Sequence, residues 1–568
     1  MERARPLSTR RTRCSRGMRL AAAPALLLVL AAGLGGCAGH GHPAEAAVAQ
    51  PEVPLFDDLG SYHHEITTSS PLAQQYFDQG LRLVYGFNHD EARRSFEAAT
   101  RADPGCAMCF WGIALTQGTN YNLPGDDERD RLGLEAAQQA QTLAADVSPA
   151  EQDLIAALLK RYQGAPQVPR AKRDRAYADA MRKVARRHPE DLDAATLFAE
   201  SMMNLRPWNL WTRDGKPQPG TLEIVHTLEA VLKRDPQHPG ANHYYIHAVE
   251  SSRQPARALA SAERLPTIEP GAGHLVHMPA HVYMRVGRYA DAAAANEQAI
   301  AADKAYLARV KPEGVYSMMY VPHNIHFLWA AAAMEGRSAT ALDAARQVTE
   351  WGSPEMLDQM PGLEPFVPTL TYAQVRFGRW DEILAAPEPP EKLVYTRGMW
   401  HFARGLAYTR KGQLDDAKRE LAAVQAALAA VPANVQTMDQ NALAPRLRLA
   451  SELLAGELAA AHGQTVPAVR HLRAAAAAED GLNYDEPPPW PLPARQFLGA
   501  VLLSAHRPRE AEAAYRQDLA RNPENGWSLY GLAQSLRMQH RVREAAAVEG
   551  RFRKAWANAD VELVASRF

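Results

Sequence analysis

Cysteine is scarce in this sequence. Four of the 568 residues are cysteines, and only Cys106 and Cys109 lie beyond the first forty positions. A closed zinc site wants four ligands, so one C-x-x-C pair does not build it alone. No histidine follows Cys109, which removes haem attachment. The pair is left as a local disulfide or as two semi-buried thiols. An excess of one charge is also missing. The chain has 63 Lys and Arg against 64 Asp and Glu, a net charge of −1, so it lacks the bulk basic signature of nucleic-acid binding. No stretch alternates apolar and polar residues over any length, which argues against strands. H-E-x-x-H, G-x-S-x-G and a phosphate-cradling loop are absent, so no catalytic signature names a reaction. The longest apolar run, LAAAPALLLVLAAGLGG from residue 20 to 36, is too short and too rich in small residues for a committed membrane span.

That run fits a targeting segment. Residues 1–19 carry seven arginines and no lysine, and the order basic, apolar, small is that of a secretory signal. Leu34-Gly35-Gly36-Cys37 resembles a lipobox, in which the signal is cut before the cysteine and the cysteine is lipidated. The simpler alternative is a plain signal cut near Ala38. Met18 offers a second start. The expectation is a signal over 1–36, lipidation at Cys37, and a flexible Ala-, Pro- and Gly-rich tether to residue 71. This makes the protein exported and periplasmic, held at the outer membrane through a lipid anchor only.

Beyond the tether the sequence repeats itself. Gly80, Ala92, Phe96, Ala99 and Pro104 follow one another at steps of 12, 4, 3 and 5, the spacing of the tetratricopeptide (TPR) repeat. GRYADAAAANEQAIAAD from Gly287, KGQLDDAKREL from Lys411, HGQTVPAVRHL from His462 and HRPREAEAAYRQDL from His506 restate the scheme. First helices are set to begin at Ala73, Ala107, Leu192, Pro239, Gly273, Pro322, Glu364, Gly398, Leu449, Leu492 and Gly526, and four of these ten steps equal 34 residues. The predicted fold is all-α, a TPR-type α-solenoid of about ten to twelve helix pairs stacked along one concave groove. Its parts are an amino-terminal pair over 72–120, degenerate helical units over 121–191, histidine-lined units over 192–345 and further units over 346–568.

Histidine is concentrated in three short segments: NHYYIHAVE with His243, His247 and Glu250; AGHLVHMPAHVY with His274, His277 and His281; and PHNIHF with His323 and His326. On the repeat numbering all eight residues fall at positions two, five, nine or twelve, which face the groove. His243 with His247, and His277 with His281, are i,i+4 pairs able to share one ion. With Glu250 they form a His/His/carboxylate set suited to a transition metal, with zinc, iron and copper all open. Eight ligands are too many for one closed site, so either two ions bind or some histidines play supporting roles. A metal-free acid–base or ligand site, and a purely structural polar network, remain as alternatives.

Other residues invite weaker readings. Glu200 and Asn242 are candidate groove contacts, and Trp208 and Trp211 a lid, a ligand platform or loop packing. Thr119–Asn122 reads as a groove contact or a helix stop. Glu486 and Trp490, in NYDEPPPWPLPARQFLG, read as groove contacts or as part of a rigid connector. YHHE from Tyr62, like His40 and His42, is a weak metal signal in tether-like sequence. The segments TTSSPLAQQYFDQGLRLVYGFNHDEARRSFEAATRADPGCAMCFWGIAL, NHYYIHAVE, HLVHMPAHVYMRVGRY and EPPPWPLPARQFLG together resemble bacterial TPR lipoproteins and exported TPR proteins over about residues 60–550. The resemblance implies the solenoid and export, and no reaction. The expected partner is a peptide, protein or cell-envelope ligand in the groove, with a metal-dependent hydrolase or oxidase and a metal-free interaction scaffold as alternatives.

Overall fold

The structure is a computed structural model and describes residues 53–310, 314–432, 437 and 441–568. The expected signal, Cys37, His40 and His42 lie outside the described residues. Helices begin where the sequence supplies caps. Ser70 accepts from the Ala73 amide ahead of helix Pro71–Tyr85, Asp191 from Ala194 ahead of Leu192–Met203, and His238 Nδ1 from Ala241 ahead of Pro239–Val249. Proline at the first position of the first and third costs no hydrogen bond, because that amide has no intrahelical partner.

Helices pair because small residues meet large ones. A Cβ added at Gly80 or Gly112 would come within 2.6 or 2.4 Å of the Phe96 ring. Gly499 and Gly531 bracket Tyr515 in the same way. In both sets the aromatic stands sixteen residues from each glycine. Phe96 is fully buried, and truncating such a ring costs about 3–5 kcal/mol. The result is a continuous succession of antiparallel helix pairs, an all-α solenoid of TPR type. The only extended pairing among the described residues is one bridge, Trp211 to Pro217. Among them no helix is long and apolar enough to cross a membrane.

Two features depart from the expectations. The tether does not run to residue 71: Val53, Phe56, Leu59 and Ile66 are buried, and Tyr76 donates to the Val53 carbonyl, because these apolar residues recover more by packing than by staying in water. Residues 121–191, expected as degenerate helical units, hold the helices Asp127–Thr142, Pro149–Tyr162 and Arg170–Arg187. The expected single helix from Gly273 is broken into Gly273–His277 and Pro279–Val286, since Pro279 has no amide to continue the ladder.

The solenoid turns back on itself. Trp527 Nε1 donates to the Ala333 carbonyl, the Arg213 guanidinium donates to Asn483, and Arg285 lies over the Tyr484 ring. This brings the Pro-rich 486–491 segment over the histidine-bearing helices. Cys106 and Cys109 are joined as a disulfide at the start of helix Ala107–Gln117.

Candidate metal centre

The groove is not open at the histidines. His243, His247, Glu250, His274, His277 and His281 are 0–1 % exposed. Aromatic side chains cover them. Phe87 packs on His243, His274 and His247 at ring separations of 4.5, 5.6 and 6.0 Å. Tyr121 packs on His247 at 5.1 Å and Trp208 stacks on Tyr121 at 5.4 Å. Phe87 has φ +57°, the left-handed region. It occupies the inter-helix turn position held in other pairs by Gly287, Gly336, Gly412 and Gly463 and by His506 and His540. An L-residue there costs about 1–2 kcal/mol, and the ring that bears this cost seals the histidines.

The hydrogen bonds around the imidazoles dictate their tautomers. His243 Nδ1 donates to the Tyr85 carbonyl at 2.6 Å, one of the last carbonyls of helix Pro71–Tyr85, which has no intrahelical partner. His247 Nδ1 donates to Glu250 Oε1 at 2.9 Å, and His281 Nδ1 to Glu250 Oε2 at 2.5 Å. His277 Nδ1 donates to Asn296 Oδ1 at 2.7 Å, whose Nδ2 is turned to the Ala292 carbonyl. All four rings therefore carry the proton on Nδ1 and present a bare Nε2. His243 Nε2, His247 Nε2 and both nitrogens of His274 are buried without a hydrogen-bond partner. His277 Nε2 and His281 Nε2 face each other at 2.8 Å. Two lone pairs do not attract, so that contact requires a proton or a cation between them.

Electrostatics agree with bare imidazoles. Burial, then the neighbouring histidines, holds His243, His274, His277 and His323 well below the usual histidine range. Burial alone would raise the Glu250 carboxyl, but His281 and His247 outweigh it and keep it low, so it stays an acceptor on both oxygens. The ligand atoms of three trios lie within 4.8 Å of one another: His243, His247, His274; His277, His281, His323; and His247, Glu250, His281. Metal-bound histidines ordinarily donate their second nitrogen to a carboxylate, amide or carbonyl, and Glu250, Asn296 and Tyr85 already fill that role.

The remaining sequence candidates separate. His326 belongs to none of these trios. Its ring stacks on Trp329 at 5.4 Å and meets Phe366 at 5.3 Å. Glu200 accepts from Asn204, away from the histidines, and burial pushes it up to about 7. The Asn242 amide ties the Pro236 and His238 carbonyls as a helix-start bracket. Trp211 Nε1 is anchored on the Ala248 carbonyl, and Trp490 Nε1 on Leu492. Trp208 and Glu486 do reach the site, since both line two adjoining cavities. One, of about 150 Å³, is bordered by His281, His323, His326 and Trp329. The other, of about 630 Å³, is bordered by Trp211, Arg285 and Tyr484. The residues missed from sequence are Phe87, Asn296 and Tyr85. Phe87 was detectable as a phenylalanine where most pairs use glycine, and Asn296 as the polar residue that ends an alanine run. A backbone carbonyl leaves no signal.

YHHE lies elsewhere. Asp193 accepts from Tyr62 at 2.9 Å, from His64 Nδ1 at 2.7 Å and from Tyr85, with His238 Nε2 at 3.4 Å. Asp191 stands close enough to make His64, Asp191 and Asp193 a further metal-sized trio. Here, however, donors converge on an acceptor, and no atom of these residues is buried without a partner among the described residues.

No family model matches the chain, and no curated protein matches it. Solved structures of helical-repeat proteins are similar at low identity. The human IFIT1 dimer with m7Gppp-AAAA is 13 % identical, with a TM-score of 0.32 over 75 % of this chain and 86 % of that one. Yeast Tom70 is 10 % identical, with a TM-score of 0.29 over 85 % and 96 %. The P58(IPK) TPR domain is 11 % identical, with a TM-score of 0.21 over 83 % and 99 %. None of these likenesses bears on what this chain binds.

Proposed function

We propose that this chain is an exported, lipid-anchored helical-repeat protein that binds a transition metal at its buried histidines and receives a ligand in the cavities beside them. One observation carries the metal reading: Nε2 of His243 and of His247 is buried without a partner and Nε2 of His277 and of His281 oppose each other, while Nδ1 of these four rings is already held by a carbonyl, Glu250 or Asn296. A donor set of imidazoles suits zinc, copper, iron or nickel and disfavours magnesium or calcium. The Arg- and Leu-rich start, with Cys37, supports export and anchoring. A solenoid's concave side is the usual binding surface of such folds, which supports a peptide or protein as the ligand.

A second reading is a metal-dependent hydrolase or oxidase. It is favoured by His281 and His323 bordering the 150 Å³ cavity, because an ion there keeps a position open to substrate. The test is elemental analysis of protein made without a histidine tag, wild type beside His247→Ala plus His277→Ala. Metal in the wild type and none in the double variant is the expected result. Equal content in both, or none in either, would remove the metal reading.

A further inference from the structure

We propose that the cluster holds two ions, one on His243, His247 and His274 and the other on His277, His281 and His323, linked through Glu250. The inference rests on the metal reading above and deepens it. Within the first trio the ring centroids are 4.9, 5.0 and 6.3 Å apart. Within the second they are 4.8, 4.8 and 5.8 Å apart. In each trio the ligand atoms lie within 4.8 Å of one another. A point then exists within about 2.8 Å of all three, a small ring rotation from the roughly 2.0–2.1 Å of a zinc–imidazole bond. Six imidazoles exceed what one four- or five-coordinate ion takes. Five of the six carry independent signs of a ligand role. His243, His247 and His274 have bare, buried nitrogens, and His277 and His281 oppose two lone pairs at 2.8 Å.

Glu250 makes the two centres a pair. Its Oε1 grips His247 of the first and its Oε2 grips His281 of the second, so a change of charge at either ion is felt at the other through one carboxylate. The two positions differ in access. The first is walled by Phe87 and Tyr121. The second has His281 and His323 on the cavity. Only the second ion should therefore take an outside ligand.

The competing arrangement is a single central ion on His247, Glu250 and His281. Metal-free full-length protein is titrated with cobalt(II), followed by its visible spectrum and by elemental analysis after desalting. Two ions per chain are expected in the wild type and one each in His274→Ala and His323→Ala, with folding checked by circular dichroism. Azide should shift the spectrum of the wild type and of His274→Ala, and leave His323→Ala unchanged. One ion in the wild type overturns the proposal whether or not the variants fold. If the wild type holds a single ion and both variants keep it, that ion belongs to the central arrangement. No ion at all overturns the metal reading itself, a distinct result.

Discussion

Two buried polar clusters flank the helix Pro239–Val249, one at its His238 cap and one along its length, and both combine imidazoles with carboxylate. At Asp193, hydroxyls and imidazoles all point inward at one carboxylate. At the histidine centre, hydrogen bonds point outward, to Tyr85, Glu250 and Asn296, and leave bare nitrogens facing each other. Composition does not distinguish the two. The direction of the hydrogen bonds does. A closed set of donors and acceptors is complete and serves as a fastener, here tying the segment from Val53 to helix Leu192–Met203. A set of buried acceptors with no donor is costly unless something positive joins it.

The contrast can be broken by exchanging the behaviours of the two clusters. The largest expected effect is at the centre: chelator-stripped wild type should regain thermal stability when metal is restored, and His247→Ala plus His277→Ala should lose the whole increment in a calorimetric scan. Asp193→Ala should do the reverse. It leaves His64 and its partners buried without their acceptor, so unfolding should become easier by about 3–5 kcal/mol while metal content stays at the wild-type value. If metal were lost in that variant, the separation of the clusters would fail.

Alkali should act on the fastener. Burial alone would lower His64, but the hydrogen bond and charge of Asp193 outweigh it and push the imidazole up to about 9. A raised histidine contributes stability that is complete below about pH 6.5 and is lost as pH climbs through the folded value. Proteolysis of the residues before Pro71 should therefore accelerate between pH 7 and 10, and the acceleration should be absent in His64→Gln. The smallest effect sharpens the comparison within the centre. Asn296→Ala keeps every ligand but frees the His277 ring, and should weaken metal binding by about 10–100-fold without changing the fold. An unchanged affinity would show that Asn296 positions nothing.

Much of the architecture was legible in the residues. The spacing of Gly80, Ala92, Phe96 and Ala99 announces a packing of small against large that recurs around Tyr515, and the helix pairs follow it. The same register placed seven of the eight proposed ligands on the side where they meet. His326 obeys the register but its ring turns to Trp329 and Phe366, since neighbouring aromatics decide a rotamer and a helical period does not. Tyr121 and Trp208 stand in segments read from sequence as a groove contact and a lid, and both pack at His247. Phe87 arrives from a position far from the histidines, and no local pattern states that it fills the space beside them.

The repeat, the helical class and the face on which the histidines stand follow from the residues alone, because a 34-residue period and 100° per residue are local properties of the chain. It is the assembled fold that buries most of the imidazoles while leaving His281 and His323 on a cavity, that lets Glu250 hold one ring from each of two helices, and that closes the Asp193 cluster on itself. Those outcomes depend on which nitrogen is protonated and on what lies opposite it, and both are set by atoms brought together from across the chain.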